Sequence, residues 1–228
     1  MISNIFLIFK SLVFWTSLIL SVLLLGPIAF LFGIVSYNIC LHISKFWCKY
    51  NLFILKNVCS LRYEIKGPDI NSHSIIISRH QSAWETIFLA AFIKRPIFIL
   101  KRELLLIPIF GWCLYLLKNI SINRTDGVSS LKKIMKSCGE HIDNDRTIII
   151  FPEGTRVAYG KNVEIKKGVL KILDTLKLPS IILNHNAGKF WNKESLIIKP
   201  GTIIIKTLSH QHNVDQLITR NKIQEHFL

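Results

Sequence analysis

The sequence predicts an α/β fold, in which a mostly parallel or mixed β-sheet is covered by helices and follows an N-terminal membrane-embedded helical segment. Three observations support this prediction. Half of the 228 residues are hydrophobic, which is high for a soluble domain. No Lys, Arg, Asp or Glu occurs between Lys10 and Lys45. After Leu61, short β-branched runs alternate with helical patterns.

The apolar stretch between Lys10 and Lys45 exceeds the roughly 20 residues that a membrane-spanning helix needs. Gly26-Pro27 interrupts this stretch. Because Pro lacks a backbone donor and clashes with the preceding turn, we expect either a kink there or a helix-turn-helix pair within the membrane. A spanning and a re-entrant segment are both compatible with the pattern, whereas a cleaved signal peptide has a shorter apolar core.

Lysines and aromatic residues alternate directly after the apolar stretch, as in an amphipathic helix at a membrane interface. The lysines are Lys45, Lys49 and Lys56. Cationic residues next to a membrane segment favour the cytoplasmic side of an inner or plasma membrane. We therefore expect a membrane-anchoring helical segment over residues 1–60 and an α/β domain facing the cytoplasm over residues 61–228.

The strands of the α/β domain are predicted from short apolar runs bounded by polar or turn-forming residues. Five such runs cover Ser74–Ser78, Pro96–Leu100, Ile120–Asn123, Thr147–Phe151 and Ser180–Leu183. Apolar residues also recur at helical spacing from Val128 to Ile142. The segment from Leu196 to Thr207 is typical of a hairpin that turns at Pro200-Gly201. This alternation predicts a sheet covered by helices.

Polar clusters follow four of these runs, and ligands of an open α/β sheet bind outside the carboxyl ends of its strands. The clusters are Arg79-His80-Gln81-Ser82, Arg124, Pro152 to Arg156, and Asn184-His185-Asn186. If the sheet is parallel, one edge brings a histidine, carboxylates and arginines to a shared cleft. An isolated histidine such as His185 is more typical of a structural residue, so we assign it no catalytic role.

His80 and Glu85 are candidates for a general base and its orienting carboxylate. If His80 lies in the turn before a helix and Glu85 in the first helical turn, the carboxylate can reach the imidazole and stabilise its charged form. Ser82 and Glu85 also fit the Ser-x-x-Glu capping box, which explains both residues without any chemistry. The two interpretations are compatible.

The chain is basic, with 29 Lys and Arg against 14 Asp and Glu, and this charge attracts anionic partners. No nucleic-acid-binding signature is present and the basic residues are dispersed, so we expect no nucleic acid partner. Five cysteines without a Cys-x-x-Cys spacing, and no other metal-ligand pattern, predict neither a metal site nor a cofactor.

Two motifs together resemble those of a known family. His80 to Glu85 is similar to an H-x4-D motif, and Phe151 to Arg156 reads Phe-Pro-Glu-Gly-Thr-Arg, which alone is more typical of a Pro/Gly turn. In this order the motifs resemble the glycerolipid acyltransferase family, which includes 1-acyl-glycerol-3-phosphate acyltransferases. The resemblance extends from about Leu61 to Thr207. Glu85 stands where the family usually has Asp, and the tail lacks the usual closing strand.

The resemblance implies a mechanism and a set of site residues. His80 removes the proton of an acceptor hydroxyl as it attacks a thioester carbonyl, and Glu85 steadies the imidazolium. Because guanidinium groups match phosphate oxygens bidentately, Arg124 and Arg156 are expected to hold the acceptor's phosphate, with Lys101 as a third cation. The residues that shape the acceptor site are Glu153, Gly154 and Thr155.

The resemblance also implies the substrates. The acyl donor is acyl-CoA or acyl-carrier protein, and the acceptor is lysophosphatidic acid in the lipid bilayer, whose free 2-hydroxyl is acylated to form phosphatidic acid. Glycerol 3-phosphate or another lysophospholipid stays open as the acceptor. A non-catalytic protein that binds anionic lipid at the membrane surface stays open as well.

Overall fold

The computed structural model describes residues 2–123, 127–161, 164–176, 178–210 and 216–227. The N-terminal segment forms two antiparallel helices, α1 (Ile2–Val35) and α2 (Tyr37–Asn57). Their contacts run in opposite directions along the chain. Ser17 Oγ lies 2.8 Å from Tyr50 Oη, and the Trp47 indole N–H donates to Ser21 Oγ at 3.0 Å.

The turn between the two helices lies at Ser36. The predicted pair forms, but a turn at Gly26-Pro27 is wrong, because α1 continues through Pro27. Ser36 has an extended backbone, with φ −146° and ψ 118°. Gly26 instead allows a close approach, since a Cβ there would come within 2.2 Å of Ile109 Cγ2. The glycine marks a packing contact of the helix and not a change of chain direction.

α1 is long and apolar enough to cross a membrane. Asn4–Val35 spans 32 residues, and its most apolar 18-residue window has a mean hydropathy of 2.7, with only 17% of that window buried. Leu12, Leu24 and Val35 are 60%, 68% and 85% exposed. Soluble proteins rarely expose so long an apolar strip to water. The helix therefore associates the protein with a membrane.

The part of the chain after α2 alternates between strands and helices. The strands are β1 (Leu61–Lys66), β2 (Ile75–Ser78), β3 (Pro96–Lys101), β4 (Ile120–Ile122), β5 (Thr147–Ile150), β6 (Ser180–His185) and β7 (Gly201–His210). The helices are α3 (Trp84–Phe92), α4 (Phe110–Leu116), α5 (Gly127–Ile142), α6 (Lys167–Leu176) and α7 (Gln216–Phe227), with short 3-10 turns at Arg102–Leu106 and Ala187–Lys189.

The described strands form one seven-stranded sheet in the order β1-β7-β6-β2-β5-β3-β4. The strands β2 to β6 run parallel to one another, whereas β7 is antiparallel to β6 and parallel to β1. The predicted mixed α/β sheet with helices on it is therefore confirmed.

The lysines after the apolar stretch have different surroundings. Lys49 and Lys56 are exposed on α2, as expected of an interfacial helix. Lys45 Nζ instead donates to the carbonyl oxygens of Ile93 at 2.8 Å and Lys94 at 3.3 Å, at the end of α3. A cation is favoured there, because the last carbonyls of a helix form the negative end of its dipole.

The predicted hairpin over residues 196–207 is wrong. β7 is a single strand that begins at Gly201, and residues 196–200 form no strand that could pair with it, so Pro200-Gly201 does not turn a hairpin. The residues before it bond to α1, since the Ile198 N–H donates to Ser11 Oγ at 2.9 Å. Because Ser11 on α1 accepts the Ile198 N–H, this backbone donor does not require a hydrogen bond to a second strand.

Side chains alternate across the strands and produce a core on each face of the sheet. In β2, Ile76 packs with α1, α2 and α3, whereas Ile75 and Ile77 pack with α5, α6 and α7. Parallel strands buried on both faces have near-continuous apolar sequences. Because β6, β2 and β5 are neighbours and parallel, the segments that follow them meet at one edge of the sheet.

Candidate active site

His80 lies in the turn between β2 and α3, and Glu85 lies in the first turn of α3. The His80 Nδ1 atom is 2.8 Å from Glu85 Oε1. Because a carboxylate only accepts hydrogen bonds, Nδ1 carries the proton and Nε2 is left to accept one. The imidazole also stacks on the Phe151 ring, with 4.1 Å between the ring centroids. These two contacts fix the orientation of the ring.

Glu85 is fully buried, and hydrogen bonds occupy its carboxylate. Oε1 also accepts the N–H groups of Gln81 and Ser82, each at 2.9 Å. Burial raises the pKa of Glu85, but hydrogen bonds from the His80 imidazole and the Ser82 N–H lower it, and the pKa lies below its ordinary value. The side chain is therefore an anion next to the imidazole.

The capping-box and base–carboxylate interpretations apply to the same oxygen atoms. Glu85 reaches back to the Ser82 N–H with both oxygens, at 2.9 and 3.1 Å, as the carboxylate of a capping box does. The Ser82 hydroxyl accepts the N–H of Trp84 at 3.2 Å. One carboxylate thus fixes the start of α3 and holds His80 at the same time.

A second histidine, His185, lies behind Glu85 at the end of β6. It is buried, and its Nε2 is 3.9 Å from Glu85 Oε2. Nε2–H donates to the Arg79 carbonyl at 2.9 Å, and Nδ1 accepts the N–H of Ala187 at 3.2 Å. Burial lowers the pKa of His185, which favours the neutral ring. Its contact with Glu85 was not predicted from the sequence.

The loop after β5 carries the Phe-Pro-Glu-Gly-Thr-Arg motif and bonds to both backbone groups of His80. The His80 N–H donates to Glu153 Oε1 at 3.0 Å, and the Val157 N–H donates to the His80 carbonyl at 2.8 Å. Gly154 turns the loop with φ +69°, a conformation that glycine adopts without steric cost. These two hydrogen bonds therefore fix the position of the loop relative to His80.

Glu153 has fewer hydrogen-bond donors than Glu85. It is buried, and its Oε2 has no hydrogen-bond partner among the described residues. Burial raises the pKa of Glu153 to about 7. An unsatisfied buried oxygen is costly, and the residue lies in the wall of a cavity, so a hydroxyl bound there would relieve the cost.

A cavity of about 970 Å³ adjoins His80 and the loop after β5. The part of its wall next to His80 is polar and consists of His80, Glu153, Gly154, Thr155, Arg156 and Lys166; the other polar lining residues are Ser44, Lys45, Thr86 and Asn119. Helices α1 to α6 supply most of the remaining wall, which is largely apolar and includes Trp15, Leu25, Leu41, Ile87, Leu114 and Ile172. Pockets for small molecules measure roughly 300–1,000 Å³. This one suits an amphipathic ligand with its polar group beside His80.

Most of the predicted site residues meet at this cavity. Glu85 stands directly behind His80, and the loop residues Glu153 to Arg156 line the wall. Lys101 is exposed at the end of β3 and lies outside the wall. Arg124 lies outside the described residues, and Lys166 lines the wall although it was not predicted. Within the described ranges, no group of three or more His, Cys, Asp or Glu side chains could hold a metal ion.

Comparisons with known proteins agree with the motifs. Residues 61–186 match the sequence model of the family described as Acyltransferase. A 1-acyl-sn-glycerol-3-phosphate acyltransferase of Pseudomonas aeruginosa is 35% identical over 196 residues, which cover 81% of this chain and 76% of that protein. One of Cocos nucifera is 30% identical over 149 residues, which cover 64% of this chain and 48% of that protein.

A solved structure is similar over nearly the whole chain. It is the crystal structure of the 1-acyl-sn-glycerophosphate (LPA) acyltransferase PlsC from Thermotoga maritima, with a TM-score of 0.80, 20% sequence identity, and coverage of 97% of this chain and 93% of that one. The fold is therefore shared. Together with the family match and the Pseudomonas relative, these similarities show that the chain belongs to the acyltransferase family.

Proposed function

We propose that the protein transfers a fatty acyl group from a thioester to the free 2-hydroxyl of 1-acyl-glycerol 3-phosphate, forming phosphatidic acid. The observation that carries this proposal is the His80–Glu85 pair beside a largely apolar cavity. An acceptor with one acyl chain and a polar head matches such a cavity. The names of the Pseudomonas and Cocos relatives support the same reaction.

His80 is the proposed general base. Its Nε2 accepts the proton of the acceptor hydroxyl while the hydroxyl oxygen attacks the carbonyl carbon of the thioester. Glu85, which is bonded to Nδ1, stabilises the imidazolium that forms. When the tetrahedral intermediate collapses, the C–S bond breaks and the imidazolium gives its proton to the departing thiolate. The products are an ester and a free thiol, and His80 is neutral again.

The loop after β5 is the proposed binding site for the glycerol phosphate of the acceptor. Glu153 Oε2 has no partner among the described residues and would accept a hydrogen bond from a hydroxyl. Arg156, which is half-buried in the cavity wall, would pair with the phosphate. The further proposed contacts are Gly154, Thr155, Arg124 and Lys101.

The proposed donor is acyl-CoA or acyl-carrier protein, because either thioester supplies both the acyl group and the leaving thiol. The proposed steps use neither a metal ion nor a cofactor, and no nucleic acid partner is proposed. The lipid bilayer holds the acceptor, and α1 would bring the cavity to it. The exposed Lys49 and Lys56 beside α1 support a cytoplasmic orientation of the catalytic domain.

The cavity distinguishes between acceptors. Glycerol 3-phosphate has no acyl chain, so it would leave much of the apolar wall without a contact, whereas a monoacylated acceptor would cover it. A non-catalytic protein that binds anionic lipid would need the capping contacts of Glu85 but not its hydrogen bond to His80 Nδ1. Both observations favour acylation of a lysophospholipid.

The test is an assay of the purified protein in phospholipid vesicles that crosses two acceptors with two donors. Lysophosphatidic acid and glycerol 3-phosphate are each combined with acyl-CoA and with acyl-carrier protein, and thiol release is measured. We expect release to require lysophosphatidic acid and to fall at least roughly 100-fold in His80→Ala. His73→Ala, which changes a histidine outside the cavity wall, is the control and should keep full activity. Release without an acceptor, or an active His80→Ala, would refute the proposal.

A further inference from the structure

Arg79, the residue before His80, is a buried cation that the proposed chemistry does not use. It is only 5% exposed. A buried guanidinium is costly unless it is paired or hydrogen-bonded. Among the described residues, Arg79 forms no ion pair with a carboxylate. Its burial therefore calls for other partners.

Two backbone carbonyl groups hold the Arg79 guanidinium. Nη1 donates to the carbonyl of Phe227, in the last turn of α7, and Nη2 donates to the carbonyl of Lys161 at 2.8 Å, in the loop after β5. The guanidinium also lies over the Phe227 ring, 6.0 Å from its centroid. Because the last carbonyls of a helix carry partial negative charge, a cation is favoured at this end of α7. Arg79 thus connects two segments that are distant in sequence.

The helix α7 is itself fixed to the sheet. Asn184 Nδ2 donates to the His226 carbonyl at 2.6 Å, and His226 Nε2 donates to the Lys206 carbonyl at 3.1 Å. Ile223 and Phe227 are buried in the core on this face of the sheet. The helix therefore offers Arg79 a support that is anchored independently of the loop.

The loop that Arg79 holds is the one that carries Glu153. It is bonded to the His80 backbone at Glu153 and Val157, and to the Arg79 side chain at Lys161. Removal of the last contact would free the loop at one end while leaving the others. Such a change should weaken the binding of a ligand at the loop more than it alters the position of His80.

Arg79 also acts on Glu153 through its charge. Burial raises the pKa of Glu153, and the positive charge of Arg79 opposes this rise. The other groups that face Glu153 are the His80 N–H, the Glu85 carboxylate on α3 and Lys166, which lines the same cavity. Without Arg79, Glu153 would hold its proton to a higher pH.

We infer that Arg79 is a positioning residue for acceptor binding, because its side chain connects the loop that carries Glu153 to the C-terminal helix α7. The inference rests on the proposed function, in which Glu153 binds the acceptor as a carboxylate. It also makes α7, which lies outside both motifs, a support of the acceptor site.

The test compares Arg79→Met and Arg79→Lys in the full chain with the assay above. In Arg79→Met we expect the acceptor KM to rise about tenfold or more, with the donor KM changed less than about twofold. The acidic limb of the pH profile of kcat/KM for the acceptor should move to higher pH. Arg79→Lys keeps the charge, so its pH profile should stay in place while the acceptor KM rises, because an ammonium group cannot replace the planar fork.

Three further variants control this comparison. Arg146→Met makes the same change before β5, at the opposite edge of the sheet, where Arg146 packs over the Tyr37 ring, and should leave the acceptor KM unchanged. Phe227→Leu removes the ring under the guanidinium while Arg79 itself stays, and should raise the acceptor KM in the same direction as Arg79→Met. In the Glu153→Gln background, Arg79→Met should no longer move the pH profile.

Equal rises of both KM values, or a pH shift that persists in the Glu153→Gln background, would overturn the inference. If the wild type is active and Arg79→Met has the same acceptor KM and pH profile, the inference alone is refuted. If the wild type shows no acceptor-dependent thiol release, the proposed function is refuted. Thermal unfolding checks that each variant is folded. If Arg79→Met is not folded, the same comparison of acceptor and donor KM values in Arg79→Lys and Phe227→Leu tests the inference.

Discussion

Two carboxylates flank His80, and their surroundings differ. Glu85 on α3 accepts hydrogen bonds from the His80 imidazole and from two backbone N–H groups. Glu153 after β5 accepts the His80 N–H with one oxygen, and its other oxygen has no partner within the described part of the chain. Both are buried, yet the pKa of Glu85 lies below its ordinary value and that of Glu153 is raised to about 7.

The difference shows that the partners of a buried carboxylate, and not its burial alone, decide its charge. An anion with several donors suits the stabilisation of an imidazolium, whereas a carboxylate with an unsatisfied oxygen suits the binding of a hydroxyl. We therefore attribute proton transfer to the turn before α3 and acceptor binding to the loop after β5. Changes in the turn should lower kcat, and changes in the loop should raise the acceptor KM.

The largest effect is expected for Glu85→Gln. The amide keeps the size of the side chain but carries no charge to stabilise His80 as an imidazolium. We expect kcat to fall by roughly 10³-fold with little change in either KM. Steady-state kinetics with both substrates varied measures this, and Glu140→Gln, at an exposed carboxylate on α5, is the control. Full activity in Glu85→Gln would rule out its role as the orienting group.

The loop side of the comparison is tested by Arg156→Gln. Loss of a charge-assisted hydrogen bond to phosphate should raise the acceptor KM by about 10- to 100-fold and leave the donor KM within about twofold. Arg62→Gln, which removes an exposed charge on β1, should change neither value. An equal rise of both KM values in Arg156→Gln would refute the assignment of this residue to the acceptor phosphate.

The two carboxylates should also give opposite dependences of stability on pH. The pKa of Glu153 rises on folding, from 4.5 to about 7, so its contribution to stability is full below about pH 4.5 and is lost as the pH rises through about 7. Over this range, the wild type should lose up to about 3 kcal/mol of unfolding free energy relative to Glu153→Gln. Denaturant titrations at a series of pH values measure this difference.

The sign for Glu85 is the reverse. Its pKa is lowered on folding, so its contribution is present above the ordinary pKa of a glutamate and is lost as the pH falls through the folded pKa. Stability curves of Glu85→Gln and Glu153→Gln that differ from the wild type with the same slope would contradict the contrast between the two sites.

The strands could be predicted because buried strands have a recognisable local sequence, a short run of apolar residues. Ile75–Ser78 and Thr147–Ile150 are buried on both faces, and a run of isoleucines reports this directly. Turns were harder to predict from glycines. Gly26 serves helix packing and Gly201 begins a strand, and the sequence does not distinguish these uses from a change of chain direction.

In the candidate site, too, some contacts could be predicted from local sequence and others could not. His80, Glu85 and Glu153 lie within short motifs, so their proximity could be predicted once parallel strands were expected. The contact between His185 and Glu85 requires β6 to lie beside β2, and the contact between Arg79 and Phe227 requires α7 to return to that edge. Strand order and the return of a distant helix are set by long-range packing, which no local pattern records.

The smallest effect is expected for Glu85→Asp, which keeps the charge on a side chain one methylene shorter. The carboxylate then has to reach His80 Nδ1 and the Ser82 N–H from further away, so we expect kcat to fall by no more than roughly tenfold. The dependence of stability on pH should keep the sign of the wild type, because the anion remains. The same kinetic assay and denaturant titrations check both results. A loss as large as that of Glu85→Gln would show that position and not charge is what Glu85 contributes, and would remove the basis for contrasting it with Glu153.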